Sequence, residues 1–519
     1  MEDTVTISVQ EYEALKATAT LVDGLQAAMA AMKEQLEWCK RQIFGQKSER
    51  LIDLPNDVPE IPGFEMPEAD EPEPENIEVP KHTRKKRKST GEFTIDYPDD
   101  LERVEQLVDV PEAERTLPDG TLMKRIGEDR SEKLAFRPGE YYIKEFVQPK
   151  YVDPNHPKTG VIQEPMPPAI IEGGKLDISF LAHIIIEKFV FHMPLYRIAE
   201  KLLNRDIRIT RQTLSQAVKA CGQGILPLYR LMIQRTLAQG VIFTDDTPVK
   251  LQRPGKCKEA RIWTYIGGMP NAPPYHIYQF TIDRRHCHPT EFLNDFRGTL
   301  HADAYAAYEK LAKDQTNDIA WAACWAHARR KFEQALTGAE SDPALWVMQQ
   351  MRYLFMYERI AWARSSEERR HIRQKHERPI VDKIFQRFTK EVKSGTLLPK
   401  SKLAEAIGYM QCRPDNFRLY LDDSNLRMDN NVSERGIRKL VIGRKNWNFI
   451  GSEAAGEAMA ALLSLVQTCR AMNIKPQEYL EDIFGRILDH PAGRLEELLP
   501  DQWKKIKDEQ AAKKAAQSK

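Results

Sequence analysis

Cysteine is scarce in this chain of 519 residues, and what there is stands unpaired. The seven cysteines, at 39, 221, 257, 287, 324, 412 and 469, form no Cys-x-x-Cys pair. An odd, scattered set excludes a disulfide framework and points to a reducing compartment. Net charge is equally thin, with 77 Lys and Arg against 76 Asp and Glu, a formal +1. No global field draws in a polyanion, so nucleic-acid contact would have to rest on local basic patches. Long apolar runs are missing too: none approaches the roughly 18 residues of a membrane span. The N-terminus, Met-Glu-Asp-Thr-Val-Thr, lacks a basic segment followed by an apolar one. The expectation is a soluble, cytoplasmic protein with no membrane partner. The chain is also too long for one core, so several domains are expected.

What is present falls into blocks. Within 1–50, Leu15, Val22, Met29, Leu36 and Ile43 recur seven apart, with Thr18, Leu25, Met32 and Cys39 three later. That seam predicts a coiled coil through which copies of the chain self-associate, although Thr18 and Gly24 weaken it. A helix packed on its own domain would show the same stripe. Residues 51–91 read as a disordered linker, acidic and then basic. Its stretch 52–80 has ten acids, seven prolines and no Lys or Arg, too little apolar surface to fold. The run Lys-His-Thr-Arg-Lys-Lys-Arg-Lys (81–88) follows, and Lys85, Lys86 and Arg87 suit a phosphate-binding arm as well as a solvated tail.

Residues 92–170 alternate apolar and polar positions between Pro/Gly turns and predict a small β-rich module. In 171–235 a long helical pattern covers 177–202, and after it comes the segment Leu-Tyr-Arg-Ile-Ala-Glu-Lys-Leu-Leu (195–203). A turn at Asn204-Arg205-Asp206 follows, then a helix over 210–222 that Thr210 or Thr213 caps and Gly222 ends. This is a helix-turn-helix pattern whose second helix would bring Arg211 and Gln212 to a major groove. Packed helix pairs of this kind also occur in any α domain.

From 236 to 338 the period changes. Strands are predicted at 240–244, 261–267, 275–284, 298–302 and 319–324, and helices at 290–296, 305–312 and 326–336. The order βββαβαβα builds a mixed sheet with helices on its faces. Residues 339–425 are helical in pattern and read as an insertion. Residues 426–485 return to the sheet domain with a helix at Glu434, a loop at 443–448 and a Gly/Ala-rich helix at 453–472, before a tail at 486–519. The fold class is multidomain α/β plus α.

Three carboxylates carry the chemistry. Asp245 and Asp303 end apolar, β-branched-rich runs, and Glu434 opens a helix loaded with cations. Two Mg²⁺ ions about 4 Å apart need oxygen ligands from separate elements, and this arrangement points to DNA strand cleavage and rejoining. Each acid has an ordinary reading as well. Asp303 would suit a helix cap. Glu434 has capping-box spacing from Asn431 and an i,i+4 partner in Arg438. Asp246 adjoins Asp245, but strand alternation sends the two to opposite faces, so Asp245 is the ligand and Asp246 the substitute. Near Glu434, the cations Arg435, Arg438, Lys439, Arg444 and Lys445 and the indole of Trp447 suit a DNA strand held by phosphates with one base stacked. Cys324 and His327 are three apart but have no second Cys/His pair nearby. Burial explains them better than zinc, so no zinc is expected.

Five segments resemble signatures of the insertion sequence 66 family of bacterial transposases. They are Asp-Asp-Thr-Pro-Val (245–249), Ala-Asp-Ala-Tyr-Ala-Ala-Tyr (302–308), Cys-Trp-Ala-His-Ala-Arg-Arg-Lys-Phe (324–332), Asn-Asn-Val-Ser-Glu-Arg-Gly-Ile-Arg (430–438) and Gly-Arg-Lys-Asn-Trp-Asn-Phe-Ile-Gly-Ser (443–452). Phe-Gly-Gln-Lys-Ser-Glu (44–49) and Met-Pro-Leu-Tyr-Arg (193–197) are similar too, so the likeness runs from about 36 to 485. The resemblance implies a DDE transposase with an RNase H-like core interrupted by a helical insertion, its triad falling on Asp245, Asp303 and Glu434. It implies double-stranded DNA as partner, both element ends and target, with small accessory proteins of the same element. The implied ion is Mg²⁺, with Mn²⁺ as the alternative. The family usually carries a zinc module with paired cysteines before the helix-turn-helix, whereas 100–165 here holds no cysteine. Two rival readings remain, a helix-turn-helix regulator and a structure-specific nuclease on the same fold.

Overall fold

The computed structural model describes residues 101–517 apart from 117–121, 138, 153–160, 315–317, 337–341 and 396. The coiled coil expected at 1–50 and the linker with Lys85, Lys86 and Arg87 lie outside the described residues. No helix among the described residues is long and apolar enough to cross a membrane.

Strands β1 (Arg103–Leu107), β2 (Lys124–Arg137), β3 (Glu140–Val152) and β4 (Val161–Ile162) make a small sheet. β2 and β3 run antiparallel from Arg137 opposite Glu140 to Lys124 opposite Val152, and β1 lies parallel to β3. The outer part of β2 is solvated and laced by cross-strand ion pairs such as Arg130 with Glu145 and Lys150 with Asp129. Its inner end is apolar and packs on helix α1 (Ile178–Phe189), where Phe136 stacks on His183.

Helices α2 (Leu195–Leu203), α3 (Arg211–Gly224) and α4 (Leu226–Leu237) follow. The periodicity over 177–202 does not make one helix. His192 takes φ +58° and Pro194, which lacks an N–H, caps the start of α2 instead of continuing α1. Thr210 does cap α3, accepting from Thr213 N at 3.1 Å. Gly222, however, lies inside α3. A Cβ there would stand 2.5 Å from Ala458 Cβ, so the glycine serves close helix packing and not termination.

The central sheet contains β5 (Val241–Leu251), β6 (Lys258–Gly267), β7 (His276–Thr281), β8 (Gly298–Ala302) and β9 (Ile319–Ala323). Its order is β7-β6-β5-β8-β9, antiparallel between the first three and parallel from β5 through β9. Helices α5 (Cys287–Phe292), α6 (Ala306–Lys313) and α7 (Trp325–Leu336) alternate with the later strands. A block of helices then intervenes: α8 (Asp342–Trp362), α9 (Ser366–Ile372), a π-turn at Arg373–Glu377, α10 (Arg378–Ser394), α11 (Lys402–Gln411) and α12 (Pro414–Asp422). The chain returns through α13 (Asn431–Trp447) and α14 (Glu453–Ala471), then α15 (Pro476–Phe484) and α16 (Pro500–Gln517).

Helix α14 closes an exposed sheet edge. Ser464 and Thr468, one turn apart, accept hydrogen bonds from the backbone N–H groups of Tyr278 and His276 on β7 at 2.8 and 3.0 Å. The start of α16 is anchored: Trp503 is 8% exposed and its indole donates to Asp482 at 2.7 Å.

Candidate active site

β5 is longer than its apolar run suggested. It stays paired with β6 as far as Leu251, while its parallel pairing with β8 ends at Phe243 opposite His301. Two residues beyond that last pair on each strand stand Asp245 and Asp303. Asp245 therefore sits in mid-strand, where β5 has lost its partner on one side. The parallel register sets the two carboxylates side by side. Burial first, and then the charge of Asp303, push the Asp245 carboxyl up to about 7. Asp303 is also raised, again by burial.

Asp246 has a different fate. Its side chain is 4% exposed, and Arg261 and Arg284 both bind it, with N–O distances of 3.1 and 2.8 Å. A carboxylate already neutralised by two guanidinium groups is a poor ligand for a cation. Among the described residues, no Lys or Arg forms an ion pair with Asp245 or Asp303. Asp245 accepts one hydrogen bond, from Asp246 N at 2.8 Å, and Asp303 one from Tyr305 N at 3.2 Å. Two adjacent half-buried carboxylates without a cation form a hard-oxygen set that fits a divalent ion such as Mg²⁺.

Glu434 lies on α13, near enough for its charge to raise Asp245, but among the described residues its carboxylate comes within metal-holding distance of Cys324 and His327 and not of the Asp245 and Asp303 pair. The device that seats α13 is Asn430, which is fully buried. Its side-chain amide donates to Thr244 O at 2.8 Å, one residue before Asp245, and its backbone N donates to Cys324 Sγ at 3.1 Å. Alongside, His301 Nε2 donates to Arg427 O at 2.8 Å, and Trp325 N to Met428 O at 3.0 Å. Residues 427–430 are thus stitched to β5, β8 and the start of α7 just before Glu434. We expect Asn430→Ala to orphan buried Thr244 O and lower stability by about 1–3 kcal/mol. A denaturant midpoint unchanged from the parent would disprove that role.

The helix-cap reading of Glu434 does not hold, because α13 begins after Asn430 with no side-chain cap. Its ion-pair partner is Arg330 on α7, with His327 Nδ1 3.9 Å away, and not the expected Arg438. Tyr308 is buried and shares a 3.0 Å hydrogen bond with Thr244 Oγ1. Tyr305 donates to Arg284 O at 2.7 Å and lies under the guanidinium of Arg284.

The basic residues divide in two. Arg435, Arg438 and Lys445 are exposed on α13, and Arg211 and Gln212 on the first turn of α3. Arg444 is engaged: it donates to Thr247 Oγ1 at 3.0 Å and to Pro248 O, tying α13 to β5. Trp447 is half-buried, with the Lys188 ammonium over its ring. The loop expected at 443–448 is helix as far as Trp447, and only Asn448 turns, with φ +60°. Gly443 suggested a turn, but a Cβ there would sit 3.0 Å from the Trp447 indole nitrogen and 3.3 Å from His192 Nδ1. Its smallness admits those neighbours.

Three residues escaped the sequence argument: Arg284, Arg330 and Asn430. The cations carried no periodic signal. Asn430 stood in plain view beside Glu434, and only a side chain bridging two distant elements could mark it.

Comparison with known proteins gives the family. Residues 173–458 match the family described as Transposase IS66 family, 464–500 the IS66 C-terminal element, and 31–105 Transposase C of IS166 homeodomain. The chain is 32% identical to the uncharacterized protein y4hP of Sinorhizobium fredii, over 92% of this chain and 89% of that one. It is 28% identical to y4jD of the same organism, over 95% and 98%.

Proposed function

The chain belongs to the IS66 transposase family, and from that premise we propose that it cuts DNA at the ends of its own element and joins the freed 3′-OH groups to target DNA. Membership in the family implies DNA binding and transposition; the assignment of the chemistry to residues is ours. The single observation that carries it is the pair Asp245 and Asp303, two adjacent carboxylates that form no ion pair with Lys or Arg among the described residues, with the charge of Glu434 felt at Asp245. The order β7-β6-β5-β8-β9, with β5 and β8 parallel at the centre, supports an RNase H-like core. On this reading α2 and α3 form the helix-turn-helix, and copies of the chain associate through 1–50.

Asp245, Asp303 and Glu434 would hold Mg²⁺, or Mn²⁺, whose charge would activate water and stabilise the departing 3′ oxygen. The chain's own part is positioning. Asn430 fixes the spacing between β5 and α13. Arg284 and Arg261 hold the Asp246 carboxylate in ion pairs. Arg330 neutralises Glu434 in the metal-free protein and, with an exposed side chain, can release it. Arg435, Arg438 and Lys445 would meet phosphates on the outer face of α13. No protein nucleophile is needed, which agrees with Tyr308 being buried and bonded to Thr244.

The raised Asp245 carboxyl gives a pH dependence. Below about 7 it carries a proton that a cation must displace. Mg²⁺ affinity should therefore fall as pH drops from 8 to 6, with about one proton released per ion at the lower pH. Without metal the sign of stability is opposite. The folded state holds the proton more tightly than the unfolded chain, so this group's contribution declines as pH rises from about 4 through 7. Asp245→Asn should consequently melt higher than the parent at pH 8 without metal. Calorimetric titration in buffers of different ionisation enthalpy measures the proton release. A pH-independent affinity would contradict the assignment.

The test of function uses the full chain, Mg²⁺ and DNA bearing the ends that flank its gene. Metal-dependent joined products support the transposase. Nicks that never join favour a nuclease, and tight binding without cutting favours a regulator.

A further inference from the structure

Along the chain, Cys324 and His327 lack a second pair of donors, so zinc is not expected there. The fold supplies a third donor from another helix. Cys324 Sγ, a His327 ring nitrogen and a Glu434 carboxylate oxygen all lie within 4.8 Å of one another. Among the described residues this is the one group of three such donors so placed. Cys324 ends the β9 turn at the head of α7, His327 lies one turn along that helix, and Glu434 comes from α13. His327 Nδ1 is buried and has no hydrogen-bond partner, so it faces the group with its valence unfilled.

We propose that Cys324, His327 and Glu434 form a binding site for a soft divalent transition ion of the zinc class, distinct in chemistry from the Mg²⁺ carboxylates and sharing Glu434 with them. A thiol, an imidazole and a carboxylate with one open position is a set such ions favour over Mg²⁺. Zinc bonds of about 2.3 Å to sulfur and 2.0 Å to nitrogen place tetrahedral donors roughly 3.3–3.7 Å apart. Closing to that spacing asks the Glu434 carboxylate to leave Arg330. On binding, the S–H bond breaks as the sulfur–metal bond forms, and the proton passes to solvent. Cys324 in the metal-free protein keeps that proton, its thiol being pushed up to about 12 by burial.

The consequence is inhibitory. A soft ion that captures Glu434 removes it from Asp245 and Asp303, so zinc should antagonise the Mg²⁺-dependent reaction. This consequence rests on the function proposed above, whereas the binding itself does not.

Cobalt(II) added to the full chain without DNA tests the binding. The expected result is one equivalent bound with a thiolate-to-cobalt charge-transfer band, lost in Cys324→Ser. The serine hydroxyl can still accept from Asn430 N, so the fold is kept. His327→Gln should weaken cobalt binding at least tenfold while leaving the melting temperature nearly unchanged. A band of full strength in Cys324→Ser would assign the signal to an exposed thiol such as Cys257 or Cys412 and overturn the proposal. Absence of the band in the parent protein would overturn it as well. In the cleavage assay, micromolar zinc should suppress the parent at least tenfold more than Cys324→Ser, and equal suppression would refute the shared Glu434. If the chain cleaves no DNA at all, the cobalt result still decides the site.

Discussion

Asp303→Asn is expected to lower strand cleavage by on the order of 10³-fold or more while leaving DNA affinity within about twofold. The asymmetry follows from where charge resides. The cations proposed to grip phosphates are exposed on α13 and α3, whereas Asp303 stands at the end of β8 beside Asp245, without an ion pair. Asparagine keeps the shape and can still accept from Tyr305 N, so β8 and α6 are preserved. What disappears is one negative charge and one strong oxygen ligand. The substitution also removes a source of repulsion on Asp245, whose carboxyl should titrate lower as a result. Cleavage rates and filter binding on the same DNA measure the two effects. Parental cleavage in the variant would sink the triad, and equal loss of binding and cleavage would point to misfolding. Asp246→Asn is the informative contrast. It frees Arg261 and Arg284 from their acceptor, so its damage should come through DNA affinity and stability as much as through chemistry.

The second large effect lies away from the carboxylates. Arg373, in the π-turn of the helical block, is wholly buried. Its guanidinium binds the carboxylate of Glu358 and donates to Tyr420 O, Asp423 O and Leu426 O at 2.7, 2.9 and 2.7 Å. Beside it, burial and the charge of Glu358 raise the Glu377 carboxyl well above the usual range, so a second negative charge is kept out of this interior. Arg373→Ala would leave Glu358 charged, buried and unpaired, and should cost about 3–5 kcal/mol. The three orphaned carbonyls include Leu426 O, four residues before Asn430, so the strap that seats Glu434 should loosen too. The expected phenotype is a lowered melting transition together with reduced cleavage, although Arg373 touches no reacting group. Replacing Glu358 and Arg373 together by Met should recover much of the stability, since a pair of apolar side chains leaves no unpaired charge. If the double variant is as unstable as the single one, the carbonyl bonds and not the ion pair hold this block together.

Much of this fold could be read from periodicity. The predicted strand at 298–302 coincides with β8, and the one at 319–324 ends one residue past β9. Both are short apolar runs bounded by turns, which leave little choice. The helical block was visible in the pattern of 340–425 for the same reason. The misreadings cluster at glycine. Local chemistry allows Gly222 and Gly443 to break a helix, yet both are interior helix positions where another helix or an indole needs the space. Nothing within a few residues distinguishes a glycine that turns the chain from one that admits a neighbour.

By itself, the sequence determined the strand order in time, the acids that follow the apolar runs of β5 and β8, and the family to which the chain belongs. These are properties of local patterns, and alternation or composition carries them. Only the tertiary structure decided which groups are already satisfied. Asp246 lost its candidacy to Arg261 and Arg284, Arg444 is engaged by β5, and Trp447 lies half-buried beneath Lys188. It also brought Glu434 to Cys324 and His327, making three donors of what had been two. The physical reason is common to all of these. A charge is available or neutralised according to what stands within a few ångströms, and here those neighbours come from elements far apart along the chain.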